Sequence, residues 1–131
     1  MAEFNGFTYR TCVYIGDATP FGQAYFARYF EWQGRAREEF FRYLVPHAAE
    51  FFESVQIVTA EALVQYRAEL LFSEQVAVEV RIAAITKATV SLRFIYRKVI
   101  TGNIAAEGFQ RLVFMDHADR IVPVPDDVQR A

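Results

Sequence analysis

One segment limits the possible folds more than any other. Tyr25 to Leu44 is the one long stretch with helical periodicity, and Pro46 stands just beyond it, where a helix should stop. On a wheel of about 100° per residue, Arg28, Glu31, Arg35, Glu38, Glu39 and Arg42 fall on one side. Glu31 with Arg35 and Glu38 with Arg42 are spaced i to i+4, acid first. Such pairs contribute roughly 0.2–0.5 kcal/mol each and keep that side in water. The opposite side carries Phe26, Tyr29, Phe30, Trp32, Ala36, Phe40, Phe41 and Leu44. Only a sheet wrapped around the helix can bury so wide an apolar face.

The remaining segments supply such a sheet. Phe7 to Ile15 reads as a first strand, followed by a loop, Gly16-Asp17-Ala18-Thr19-Pro20-Phe21-Gly22. Val55 to Leu71 reads as one long bent strand or two short ones, although Ala60-Glu61-Ala62-Leu63 is also helix-compatible. Val76 to Ile82 alternates at period two, and Ala88 to Ile100 holds Val90, Leu92, Phe94 and Tyr96 on one face. Thr101-Gly102-Asn103 is a turn, Ile104 to Met115 a returning strand, Asp116 to Arg120 a second turn, and Pro123 and Pro125 mark an irregular tail. One long helix followed by a run of strands predicts an α+β domain rather than a doubly wound sheet. At 131 residues, 53% hydrophobic, the chain suits one domain, 1–131, with a substantial core.

Several function classes fall away. The net charge of −2 leaves no basic footprint for nucleic acid. No apolar run is long enough for a membrane span, and MAEFNGFTYR has no signal pattern, so a cytoplasmic protein is expected. Cys12 alone excludes an internal disulfide or a cysteine-based zinc site. Asp116, His117 and Asp119 could in principle hold a metal, but carboxylate-rich turns are common; no metal or cofactor is expected. Gly102 and Gly108 are isolated and make no phosphate loop. His47 and His117 read as surface residues without a Ser or Cys partner pattern.

Two polar residues interrupt the apolar helix face, Gln33 and Arg37, four apart and therefore neighbours. An unpaired buried charge is expensive, so Arg37 needs a partner or a wet cavity. Two readings stay open: a structural arginine paired with a buried acid or a carbonyl, or a residue that lines a ligand tunnel together with Gln33. Asp17 can act as a base or cap loop or helix amides.

Ile15-Gly16-Asp17-Ala18-Thr19-Pro20-Phe21-Gly22, followed by Tyr29-Phe30-Glu31-Trp32 and an Arg-rich helix, resembles the 4-hydroxybenzoyl-CoA thioesterase family. Trp32-Gln33-Gly34-Arg35-Ala36-Arg37-Glu38 looks like the helix of the enediyne polyketide thioesterases, and the strands and the tail Ile121-Val122-Pro123-Val124-Pro125 also fit. The resemblance implies a hotdog fold, a curved antiparallel sheet around one helix. It also implies a homodimer or homotetramer with sites at the dimer interface, and a tunnel for the acyl thioester of acyl carrier protein or coenzyme A. In the benzoyl-CoA enzymes a second loop acid acts as nucleophile or base; Thr19 stands there in this chain, where the enediyne group has an amide residue. The implied chemistry is attack by water in polyketide biosynthesis, with Arg37 matching the oxyanion-stabilising arginine and Asp17 and Thr19 as further catalytic candidates.

Gly22, Phe26, Tyr29, Phe30 and Gln33 are the expected substrate-binding residues, with loop amides near Phe21 and Gly22 as further oxyanion donors. With no evident base, the enzyme should be slow or use an activated substrate such as a β-ketoacyl thioester. A non-catalytic hotdog module that binds an acyl thioester is the rival reading, favoured by the missing acid. A dehydratase would need a His near the helix, and none lies between Met1 and Pro46.

Overall fold

Alternation along the central strands sets the architecture. A computed structural model of the protein describes residues 6–130; residues 1–5, the start of the N-terminal stretch considered above, and residue 131 lie outside it. The strands are β1 (Gly6–Cys12), β2 (Gln56–Tyr66), β3 (Gln75–Ile85), β4 (Thr89–Lys98) and β5 (Ile104–Met115). They form one antiparallel sheet in the order β1-β3-β4-β5-β2. Val76, Val78 and Val80 of β3, Val90, Leu92, Phe94 and Tyr96 of β4, and Ala106, Leu112 and Phe114 of β5 are fully buried on one face. Helix α1 (Arg28–Leu44) lies against that face and contributes Tyr29, Trp32, Ala36, Phe40 and Phe41 to the same core. This is the α+β hotdog arrangement anticipated from the sequence. No helix among the described residues is long and apolar enough to cross a membrane.

Several boundaries differ from the sequence reading, each for a local reason. β1 ends at Cys12 rather than Ile15, because residues Ile15–Asp17 wind into a 3-10 turn. α1 begins at Arg28 rather than Tyr25. Ala24 bridges Ala18 and its N–H donates to Leu70 O at 2.7 Å, Tyr25 N–H donates to Asp17 O at 2.7 Å, and Phe26 and Ala27 make a turn that leads into the helix. Phe26 and Phe30, expected on the buried side, are 59% and 41% exposed. Glu31 pairs with Arg28 at 2.8 Å instead of with Arg35, whereas the Glu38–Arg42 pair forms at 3.1 Å.

A second helix, α2 (Ala48–Ser54), occupies the stretch after Pro46, where the sequence suggested no element. Phe51 explains its position, packing its ring 6.3 Å from both Phe41 and Phe114. β2 is one strand, not two, with a register shift between Thr59 and Glu61 that leaves Ala60 as a bulge. The tail is less irregular than its prolines suggested. It ends in the short helix α3 (Asp126–Gln129), and Val124 and Val128 are buried in the core. In the Asp116–Arg120 turn, Asp116 Oδ1 accepts from the amides of Ala118 and Arg120, so this carboxylate closes its own loop. His117 contacts the Glu53 carbonyl across the gap to α2.

Candidate active site

The Asp17–Gly22 loop owes its shape to three of the residues singled out above. Thr19 N–H donates to Gln23 O at 2.7 Å and Gly22 N–H donates to Thr19 O at 2.9 Å, so the chain folds back as a miniature hairpin. Pro20 suits the first corner, and Gly22, with φ +86°, takes the left-handed position that closes such a turn. Asp17 Oδ2 accepts the Tyr14 N–H at 3.0 Å, and Oδ1 lies 3.9 Å from Arg28 Nε. Asp17 therefore caps the 3-10 turn and faces the base of α1. Thr19 Oγ1 accepts the Phe21 N–H at 3.2 Å. Both amides expected to be free for an oxyanion, Phe21 and Gly22, are thus engaged within the turn itself.

Gln33 and Arg37 form a different constellation. Arg37 Nη1 donates to Thr59 Oγ1 on β2 at 2.7 Å and to Gln110 Oε1 on β5 at 3.0 Å. Gln110 Nε2 donates to Gln33 Oε1 at 2.9 Å, and Gln33 Nε2 donates to Leu63 O at 3.0 Å. Gln33 is wholly buried and Gln110 nearly so. Within the single chain Gln33 thus stands behind Arg37. Gly108 makes room for it: a Cβ built there would fall 2.2 Å from Gln33 Nε2. Burial pushes the Arg37 guanidinium below the ordinary arginine value, yet no acid forms an ion pair with it among the described residues. A guanidinium stays protonated even so. Its charge is therefore held by neutral acceptors, and Nε and Nη2 have no hydrogen-bond acceptor among the described residues.

Two cavities open beside α1, and the first of them is lined by Arg37 of this array. One, about 310 Å³, lies between the second half of α1, α2 and the start of β2, where Arg37, Glu38, Phe41, Phe52, Ile57 and His117 meet. The other, about 240 Å³, lies at the start of α1 against Gln23, Phe26, Tyr29, Tyr66 and Leu70. Tyr29 shows one edge to this second cavity and otherwise belongs to the core, with Tyr66 at 4.8 Å, Trp32 at 5.2 Å and Tyr96 at 5.3 Å between ring centroids. Burial pushes its hydroxyl up to about 12. Tyr66 Oη donates to Phe26 O at 2.7 Å, tying β2 to the approach to α1. Phe30 lines neither cavity. Within one chain the structure thus joins Arg37 to Gln33, and Phe26 to Tyr29, while Asp17, Thr19 and Gly22 form a separate loop. Sequence reasoning missed Thr59, Gly108 and Gln110. Period two along β5 carries a signal for the last, since Gln110 falls among Ala106, Gly108, Leu112 and Phe114 on the buried face.

A family model described as the thioesterase-like superfamily matches residues 13–131. No curated protein matches the sequence. Among solved structures, the chain is similar to the dynemicin thioesterase, studied with respect to polyene binding: 25% identity over 96% of this chain and 94% of that one, TM-score 0.88. It is also similar to a gentisyl-coenzyme A thioesterase (24%, 93% and 98%, 0.84) and to a 1,4-dihydroxy-2-naphthoyl-CoA thioesterase from Synechocystis (16%, 95% and 93%, 0.83). These two share the fold. Because the matched segment runs from the loop through α1 and the four later strands to the tail, it takes in Arg37 with its anchors, and the chain belongs to the thioesterase-like superfamily.

Proposed function

We propose that this protein hydrolyses an acyl or polyketide thioester carried by acyl carrier protein or coenzyme A, by direct attack of water. Superfamily membership supports acyl thioester hydrolysis in general. The likeness to the dynemicin thioesterase supports a polyketide-type chain, and the two coenzyme A thioesterases support the coenzyme A form. One observation carries the mechanism: Arg37 is anchored through Nη1 by neutral groups, so its charge and its remaining donors are available to a ligand. Water oxygen bonds to the thioester carbon, and the carbonyl π electrons move onto oxygen, where Arg37 stabilises them. Collapse then breaks the C–S bond; one proton of the attacking water passes to the departing sulfur, giving the free thiol and the carboxylic acid. Thr19, whose hydroxyl hydrogen is not used by the loop, and Asp17, which shapes the loop, act on the entering thioester arm. Phe26 and Tyr29 line its apolar path.

The rival reading, a module that binds a thioester without cleaving it, is favoured by one observation: the Phe21 and Gly22 amides are closed within the turn and offer no oxyanion contact. A panel of carrier-protein and coenzyme A thioesters, followed by free-thiol detection, separates the two. Thiol release above the uncatalysed rate is expected; saturable binding with no release would establish the module instead.

The active unit is a homodimer in this proposal. β2 is an edge strand of 11 residues, hydrogen-bonded on one side only, to β5. Long bare edges invite pairing, and the exposed rings of Phe26 and Tyr66 adjoin this one. Light scattering at micromolar concentration should give twice or four times the chain mass; a monomer would refute the shared site.

A further inference from the structure

We propose that Gln110 is a positioning residue for catalysis, orienting the Arg37 guanidinium through a buried relay of two amides that ends on the edge strand β2. The proposal rests on the assignment of Arg37 to the oxyanion. The relay runs one way. An arginine can only donate, so Gln110 must turn its oxygen to Arg37, at 3.0 Å, and its NH2 to Gln33, at 2.9 Å. Gln33 must then present its oxygen to Gln110 and its NH2 to Leu63 O, at 3.0 Å. A backbone carbonyl can only accept, so the far end demands the same orientation as the near end. Turning either amide over would set like groups against each other at two contacts. With Gln33 at 0% exposure and Gln110 at 4%, water does not compete for these bonds.

The choice of residue fits the task. Glutamate in place of Gln110 would hold Arg37 more tightly, but it would also compensate the charge that the developing oxyanion needs. Glutamine holds without neutralising. Gly108 completes the device, since any larger residue would occupy the place of the Gln33 amide. Fixing Nη1 to Gln110 and Thr59 leaves the Nε–Nη2 edge with one direction to point. Preorganised donors of this kind need no rearrangement when charge develops.

The test uses Gln110→Glu and Gln110→Leu, with Arg37→Ala as reference, each shown to be folded by circular dichroism. Gln110→Glu keeps shape and the acceptor for Arg37 while neutralising the cation and losing the NH2 donated to Gln33; Gln110→Leu removes both the acceptor and that donor. Each should lower kcat about tenfold or more with KM largely unchanged, the mark of an interaction made in the transition state. Nitrogen-15 spectra of the arginine side chains give a readout independent of turnover. In the parent protein Arg37 should show separate Nη1 and Nη2 resonances, because rotation is hindered, and in Gln110→Leu they should average. Folded variants with parental kcat, or an Arg37 signal unmoved in Gln110→Leu, would overturn the positioning role. Full turnover by Arg37→Ala would instead remove the oxyanion assignment, and the spectra would still report whether Gln110 orients the arginine.

Discussion

Arg37→Ala lowers kcat for thioester hydrolysis by about 10²–10³-fold, the loss of roughly 2.7–4 kcal/mol that one oxyanion donor supplies. Arg37→Lys recovers only part, since a compact ammonium cannot reproduce a planar fork anchored at one nitrogen and free along the other edge. Arg37→Ala also leaves Gln110 Oε1 and Thr59 Oγ1 without their donor. A buried acceptor left unsatisfied costs about 1–3 kcal/mol, so some loss of stability accompanies the loss of rate. Turnover per folded molecule, taken from melting curves and kinetics on the same sample, separates the two effects. A purely structural arginine would lose activity only in proportion to its folded fraction. Full turnover by a well-folded Arg37→Ala protein would end the catalytic assignment, and the binding module would then have to be tested by ligand titration.

Phe41→Ala should give the largest loss of stability, about 3–5 kcal/mol. That is a large part of the roughly 5–15 kcal/mol that holds a domain of ordinary stability. The ring is fully buried, with Phe40 and Phe114 at 6.1 Å and Phe51 at 6.3 Å between centroids. Its removal would open a void where α1, α2 and β5 meet. Denaturant titration should show the midpoint fall with little change in slope. A loss of less than about 1 kcal/mol would mean that the neighbouring rings close over the gap, contrary to the partial relaxation usual in cores. Phe41 stands one turn beyond Arg37 and lines the same cavity, so activity near the lowered midpoint should fall as well.

How much of this was readable in the sequence depended on whether a signal was local. The wide apolar face of α1 and the alternation of β3 and β4 come from periodicity, and the sheet wrapped around the helix follows from them. α2 was hidden because seven residues leave too short a window for a helical period, and Pro46 marked only where the preceding helix stops. Phe51 and Phe52 are the residues that could have exposed it. The start of α1 was misplaced because Tyr25 and Phe26 have no helix-breaking chemistry; distant strand-like contacts from Ala24 hold them out of the helix. At the site, Gln33 and Arg37 were visible because polarity interrupts an apolar stripe. The company they keep was not, because Gln110 and Thr59 lie 77 and 22 residues away from their partners on the helix. Nothing within β5 alone says which helix residue Gln110 will meet.

The bulge at Ala60 acts as a change of parity. Side chains directly opposite each other in an antiparallel pair share a face, and the buried face of β5 carries Ala106, Gln110, Leu112 and Phe114. Before the bulge, odd positions of β2 meet that face: Ile57 opposite Phe114 and Thr59 opposite Leu112. After it, even positions do: Ala62 opposite Gln110 and Tyr66 opposite Ala106. One extra residue therefore lets the arginine anchor and the aromatic tie be read from the same side of a single strand. Deleting Ala60 would restore plain alternation and keep both on that face, whereas a strand of the same length without the bulge would turn one half over, placing Glu61 toward the helix or Thr59 away from it. The odd number of steps that separates Thr59 from Tyr66 is thus tied to the bulge: one cannot be kept without the other while both residues face the helix.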